Sequence, residues 1–511
     1  MLVLSDKIVF LFTSVMTQAL RVITAFVMAR LLTPNDYGLL TLISIAPSFI
    51  AALGDCGIAR ALVQYRDLPT ETVEASGLTV SVALSLFYAT LWLASGFYFR
   101  VARHDPRLLW IGIIGAVTIV LAAIYTFQMA CLNRDLKFRD ESRQNIIFAA
   151  ALAVTGLSMA LWAHHHRQWG VFALALQPLV AQIMGNLVIF HRHPFRWPRA
   201  FSIGMAKKLL NYGWKVTLAQ YANNLQQSLV SLFVIIVGGT WGAGIFGRAT
   251  QVSDMIGYNL LSTFDRLLHP LLRSVREDKE RLRGIFVRGC IGAVLLCGFG
   301  WAWLVGTAPD LIRVVMGPQW DAVPPLLRII ATVLLANCLG MMGIIVTHAL
   351  GKPLIWLCFG VANLLMLFIA IKSALFYHRS LAAIATAYIL CQGTYSISLW
   401  IWAMRTLKIA PFGLLGHVAR LIGAACATCA CILLVRDWMQ GGQPLLRLIA
   451  SSGVGAAVFL GSTLLVDRDA ILDFRTLVRR RGTPEPPAPQ TAEPTVWQAD
   501  GAANQNAMFK Q

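Results

Sequence analysis

Apolar runs of about 20 to 25 residues recur along this sequence from Ile8 to Val466, each long enough for a helix to cross roughly 30 Å of hydrocarbon. The chain is 57% hydrophobic and 13% charged over 511 residues, where a soluble domain carries roughly a quarter charged residues. No soluble core could hide that much apolar surface, so the bilayer is the solvent. Inside hydrocarbon the backbone must satisfy its own polar groups, which helices do. The fold expected is therefore all-α and integral to a membrane.

Reading the runs against their polar punctuation gives about fourteen transmembrane helices, near residues 8–30, 37–59, 76–99, 108–132, 145–164, 169–190, 210–237, 242–268, 285–305, 323–348, 353–376, 380–404, 411–435 and 445–466. The first run ends on Val27-Met28-Ala29, a passable cleavage site, but Arg21 interrupts it and its length suits a full span, so it is kept as helix 1. Beyond Val466 the stretch 467–511 turns polar and proline-rich and is read as a disordered tail.

In a soluble protein a formal net charge of +19 would point to nucleic acid, but here most Lys and Arg lie in short segments between apolar runs. With the N-terminus inside, cytoplasmic segments hold about 25 Lys and Arg and outer ones about 10, the bias of membrane topology. The even helix count then puts both termini in the cytoplasm; only the outer loop with Arg100, Arg103 and Arg107 runs against the bias. Arg479-Arg480-Arg481 directly follows the last run and is read as touching anionic lipid headgroups rather than nucleic acid. Nearly all ten cysteines sit inside apolar segments and behave as small hydrophobes. The run Cys426-x-x-Cys429-x-Cys431 lacks the second pair a structural zinc site needs, so neither metal nor other cofactor is expected.

A faint internal repeat divides the first twelve helices. The turn Thr33-Pro34-Asn35-Asp36-Tyr37-Gly38-Leu39-Leu40 recurs 206 residues later as Gly239-Thr240-Trp241-Gly242-Ala243-Gly244-Ile245-Phe246, and at the same offset Arg60 falls on Arg266 and Leu62 on Leu268. Two pseudo-symmetric six-helix lobes, 1–200 and 201–408, followed by two further helices within 409–466, are the plan of many alternating-access carriers.

A charge at the bilayer centre costs at least about 2.5 to 3.5 kcal/mol on insertion scales, so each needs a reason. Helix 1 aligns Thr13, Thr17, Arg21 and Thr24 on one face. Helix 7 carries Lys215, Gln220, Asn223, Asn224, Gln227 and Ser231, and helix 8 carries Arg248, Gln251, Asp254, Asp265 and Arg266. The neutral groups either bond helices together or line a cavity. For Arg21, Lys215, Arg248 and Arg266, facing only Asp55, Asp254 and Asp265, pairing cannot neutralise every cation, so a water-filled basic cavity for an anion is expected. Thr17, Asn223, Asn224 and Gln227 join it as polar lining. Arg248 and Arg266 alternatively snorkel to a membrane face, which makes Arg21 the leading candidate. The three aspartates either bind a coupling cation or neutralise the arginines.

The stretch Met28-Ala29-Arg30-Leu31-Leu32-Thr33-Pro34-Asn35-Asp36-Tyr37-Gly38-Leu39 resembles the "aRlLtPedyGl" signature of polysaccharide exporters, continued by Gly57-Ile58-Ala59-Arg60-Ala61-Leu62-Val63-Gln64. Further matches are 133–139, Gly244-Ile245-Phe246-Gly247-Arg248-Ala249, 280–283, Met316-Gly317-Pro318-Gln319-Trp320 and 349–353. In this order they resemble the Wzx-type oligosaccharide flippases, in the superfamily that includes the multidrug MATE carriers and the lipid II flippase. The resemblance implies a V-shaped bundle in the bacterial inner membrane. It also implies a substrate, an undecaprenyl-pyrophosphate-linked oligosaccharide turned from the cytoplasmic to the periplasmic leaflet, and cavity cations at Arg21 and Arg248. Relatives often carry an aspartate and a glycine late in helix 7, where this chain has Val230 and Ile235, so a coupling role for that aspartate does not carry over.

The function expected is thus a flippase for exopolysaccharide, capsule or O-antigen synthesis, partnered by its lipid-linked substrate, by membrane lipids and by a polysaccharide polymerase with chain-length and export machinery. It is a carrier and not an enzyme. Two other readings stand beside it. A polymerase or lipid-linked glycosyltransferase would show a large functionalised outer loop, and the outer loops here are short. A MATE-type cation or drug antiporter would want an acidic pocket, and this one leans basic.

Overall fold

The protein is represented by a computed structural model, which describes residues 2–49, 57–58, 61–62, 70–135, 137–166, 169–192, 201–274, 279–350, 353–439 and 441–466. Among the described residues there is no β-strand, and a helix overlaps each of the fourteen apolar runs. In chain order the helices are α1 (Leu2–Leu31), α2 (Pro34–Ser48), α3 (Thr70–Arg103), α4 (Arg107–Arg134), α5 (Phe138–His165), α6 (Gly170–Arg192) and α7 (Ile203–Ser274). They continue as α8 (Lys279–Val315), α9 (Val323–Ala331), α10 (Val333–Ala349), α11 (Pro353–Tyr377), α12 (Leu381–Thr406), α13 (Pro411–Trp438) and α14 (Pro444–Val466).

Eleven segments of the described residues are long and apolar enough to cross a membrane. That number and the fourteen runs differ for physical reasons. The 72-residue α7 is two arms, because Gly239 (φ 61°, ψ −158°) leaves the helical region in the middle. A positive φ is a conformation glycine adopts without steric cost. Thr332, itself helical at φ −62° and ψ −24°, joins α9 to α10 so that the pair crosses as one, in keeping with the single run 323–348. The described part of α2 covers 15 residues, and α12 carries Thr386, Gln392, Thr394 and Ser396, some of which face a polar interior described below.

Apart from α2, the first six helices pack chiefly on one another, α1 on α5, α3 on α4 and α6 on both α4 and α5. In the remainder α10 lies against α12 and α8, α11 against α12, while α13 and α14 pair and both cover α8. Between the two sets runs the seam of α2 with α7. The Tyr221 hydroxyl donates to the Phe49 carbonyl at 2.7 Å there, and beyond it Ser76 of α3 exchanges hydrogen bonds with the Ser202 backbone just before α7.

At the other end, which carries the α1–α2 turn, the backbones themselves touch. A Cβ added at Gly38 would overlap the Thr240 carbonyl, and one at Gly244 would overlap that of Pro34. The turn is built to enter this contact. Asp36 accepts hydrogen bonds from the Thr33 N–H (2.9 Å) and hydroxyl (2.7 Å), a helix-starting arrangement. Pro34 takes the first helical position, where its missing N–H costs nothing. Replacing Gly38 or Gly244 with alanine forces main chain apart, and overpacking of this kind costs about 1 to 3 kcal/mol. Each variant is expected to lower the thermal unfolding midpoint of the purified protein, whereas Gly247→Ala, with open space at its Cβ, is expected to leave it unchanged.

Candidate binding cavity

A cavity of about 510 Å³ lies between α1, the second arm of α7 and α10, lined by polar groups Gln18, Arg21, Gln251, Ser253, Asp254 and Asn337 among apolar neighbours. Arg21 is ten residues from the end of α1. At 1.5 Å per residue that is about 15 Å in, close to the middle of a 30 Å hydrocarbon layer. Its side chain is exposed, and its guanidinium lies 5.8 Å from the Phe148 ring centroid. Asp254 is also exposed, and among the described residues no ion pair joins the two. The described lining thus holds one charge of each sign, both wetted by the cavity.

Asn337 links the cavity to the interior of the second helix set. Its Oδ1 accepts from Ser396 (3.0 Å) and from Gln392 Nε2 (3.4 Å). Gln392 Oε1 in turn accepts from Gln226 (2.8 Å) and Asn363 (3.3 Å), and Asn363 also donates to Gln226 Oε1 (3.1 Å). Gln226, Asn363 and Ser396 are buried. Four helices are thereby tied by neutral side chains.

At the turn-bearing end the cavity is shut. The buried Trp320 indole donates to the Ala29 carbonyl at 2.7 Å, Gln319 donates to the Arg30 carbonyl at 2.9 Å, and Arg30 reaches the Val314 carbonyl at 2.9 Å. Tyr37 meets the Trp320 ring edge-on at 5.6 Å and carries the Arg248 guanidinium 3.7 Å over its face. Since the α2–α7 seam is also joined along its length, access to the cavity is left to the α1–α7 side and the opposite face.

The sequence candidates are distributed unevenly over this geometry. Arg21 and Asp254 share the cavity. Arg248 belongs to the seal instead, because Tyr37 offers its cation an aromatic face. Thr17 is buried and its hydroxyl bonds the Ser14 carbonyl of its own helix, so it is not lining. Asn224 and Gln227 lie on the first arm of α7 and are not among the described lining residues; the Asn224 carbonyl accepts from Ser228 at 2.9 Å, and Gln227 is hydrogen-bonded to Tyr388. Asp55 and the side chains of Lys215, Asn223, Asp265 and Arg266 lie outside the described residues. Sequence reasoning passed over Gln18 and Asn337. Gln18 stands three residues before Arg21, the spacing that shares a helix face, and Asn337 is a solitary amide in an apolar run.

Residues 27–325 match the family described as "Polysaccharide biosynthesis protein". The chain belongs to this family. Among curated relatives, the lipopolysaccharide biosynthesis protein WzxC of Escherichia coli K12 is 22% identical over 61% of the chain, which spans 63% of WzxC. The succinoglycan biosynthesis transport protein ExoT of Rhizobium meliloti is 22% identical over 92% of the chain and 94% of its own length. In fold, the chain is similar to the lipid II flippase MurJ in an inward closed conformation, with a TM-score of 0.69, 12% identity, and coverage of 91% of this chain and all of that one. The stretch matched to the polysaccharide biosynthesis family takes in the whole seal and Asp254 and begins six residues after Arg21.

The indole bond of Trp320 contributes about 1 kcal/mol to the seal. Trp320→Phe is therefore expected to raise the population open at this end about fivefold, read as faster labelling of a cysteine placed at cavity position Ala25 by a membrane-impermeant maleimide added only at the sealed face, relative to the same cysteine with Trp320 intact.

Proposed function

We propose that the protein is a flippase that turns an undecaprenyl-pyrophosphate-linked oligosaccharide repeat unit from the cytoplasmic to the periplasmic leaflet of the bacterial inner membrane. The observation that carries this reading is Arg21, exposed in a roomy cavity at mid-bilayer depth in a member of a polysaccharide biosynthesis family. The names of WzxC and ExoT, tied to lipopolysaccharide and succinoglycan synthesis, support it.

An oligosaccharide phosphate does not enter hydrocarbon unaided, because each unpaired polar group costs several kcal/mol. A wet cavity between two lobes, 1–200 and 201–408, removes that cost while the polyprenyl tail stays in lipid beside α1. A guanidinium holds two phosphate oxygens at once, which suits Arg21 to the pyrophosphate. At about 510 Å³, within the roughly 300–1,000 Å³ of ordinary ligand sites, the cavity takes the pyrophosphate and first sugars while the rest of the unit extends through its open side. With both termini cytoplasmic, the sealed end is periplasmic and the state is the one that loads. Rocking of the lobes, with the helices of 409–466 carried by the second, releases the unit outward. An inside-negative potential favours this by about 2.3 kcal/mol per charge per 100 mV. The released unit feeds a polysaccharide polymerase with its chain-length and export machinery.

Arg21→Ala is expected to abolish polymer output while the protein remains inserted at normal levels, and Arg21→Lys to restore part of it. Full output from the alanine variant removes Arg21 from the site. Depletion of the protein is expected to leave intact repeat units on the inner leaflet, whereas unpolymerised units outside would mark a polymerase. Asp254 opposes an anionic headgroup, so Asp254→Asn is expected to strengthen binding of the lipid-linked substrate in reconstituted vesicles. Loss of flipping in that variant with binding intact would instead assign Asp254 to ion coupling.

A further inference from the structure

A second charged cluster lies outside the cavity, at the turn-bearing end where α8, α9, α13 and α14 meet. Asp310, 2% exposed, is held by Arg436 Nε at 3.2 Å and Arg447 Nη2 at 2.8 Å. Arg313, Arg328 and Asp321 line the same cavity, of about 380 Å³. Four guanidinium groups against two carboxylates leave two positive charges in excess. Arg328 is fixed by its Nε bond to the Val305 carbonyl at 3.1 Å, and its Nη2 is buried without a protein partner.

Buried donors are rarely left unpaired, and the structure supplies room for the missing acceptor beside this one. The cluster also lies on the face expected to be poor in Lys and Arg, where a general attraction to lipid charge does not account for four converging arginines. Leu434, Trp438, Leu445 and Leu446, on the adjoining ends of α13 and α14, are all exposed, Trp438 by 86%. A tryptophan at a helix end beside exposed aliphatics is the signature of the headgroup level, with acyl chains below it.

We infer that Arg313 and Arg328, with the Asp310-anchored Arg436 and Arg447 behind them, form a binding site for the phosphate of an anionic phospholipid headgroup, whose acyl chains lie along α13 and α14. The two paired arginines neutralise Asp310 and set the floor of the site. Arg313 and Arg328 supply the net charge that selects an anionic lipid over a zwitterionic one.

The test uses the full chain purified in detergent, with native mass spectrometry of lipid adducts after addition of phosphatidylglycerol or phosphatidylethanolamine with the same acyl chains. Phosphatidylglycerol is expected to be retained the more strongly, and Arg313→Gln and Arg328→Gln are each expected to weaken that retention about fivefold. Arg313 is exposed, so its variant keeps the fold, which unchanged gel-filtration behaviour verifies. Retention that survives millimolar inorganic phosphate supports a lipid. Displacement by that phosphate assigns the site to a soluble oxyanion and overturns the lipid. Equal retention of both lipids, or no effect of either substitution, overturns the site. The readout is adduct formation rather than flipping, so it stands or falls apart from the transport reading.

Discussion

Two backbones that meet with no side chain between them set the arrangement of this molecule. Gly38 and Gly244 bring α2 and the second arm of α7 into main-chain contact through the Thr240 and Pro34 carbonyls, closer than any other residue would permit. Small residues are how helices associate in lipid, where no hydrophobic effect drives them together. Once that contact is made, Arg248 is delivered to Tyr37 and Trp320 to Ala29. Segments that resemble known exporters in sequence, around residues 28–39, 244–249 and 316–320, are thereby gathered at one end. The motif encodes closure, while the cavity is lined largely by residues outside it.

The polar groups inside the bundle fall into three kinds. Gln226, Asn363, Gln392 and Asn337 are neutral and bonded to one another. Interhelical hydrogen bonds in lipid average only about 0.6 kcal/mol, so such a chain fixes helix register more than it adds stability. Asp310 is a charge that is fully paired, and removing one partner of a buried pair is far costlier than the pair is worth. Arg21 and Asp254 fit neither pattern, since they share a space without bonding each other. Only hydration, or a ligand that replaces it, makes that arrangement tolerable at mid-membrane depth.

Length and hydropathy carried most of the fold into view, because a crossing helix needs a run of fixed length whatever it packs against. Depth was legible too: an arginine in the middle of helix 1 could be read as anomalous with no partner known. Direction was not. Arg248 faces Tyr37, 211 residues away in sequence, and nothing local distinguishes that from facing a cavity. Thr17 shares the helical stripe of Arg21, yet the stripe is wide enough for one edge to be buried and satisfy its hydroxyl on its own backbone. On α7 the choice of Gln227 over Gln226 came down to a single position. One residue is 100° around a helix, enough to exchange the interior network for another face.

The seal and the cavity share two helices, α1 and α7, and this has a mechanical consequence. Arg30 and Arg21 lie nine residues apart on α1, about 14 Å along its axis, and Arg248 and Asp254 lie six apart on α7, about 9 Å. Neither stretch contains a proline or a departure from helical geometry, so each helix acts as a lever with a seal residue at one point and a cavity residue at another. The seal is composed of a few hydrogen bonds, on the order of 1 kcal/mol each, and one cation over a ring. Its total of a few kcal/mol is the size a bound anion can offset by interacting differently with Arg21 in the two arrangements. A stronger seal, such as a buried ion pair, would hold the molecule in one state whatever occupied the cavity. On the proposed flipping mechanism, weak contacts at the end and a charge in the middle that is unpaired among the described residues are therefore two halves of one requirement: closure must be firm enough to exclude and slight enough for the ligand to reverse.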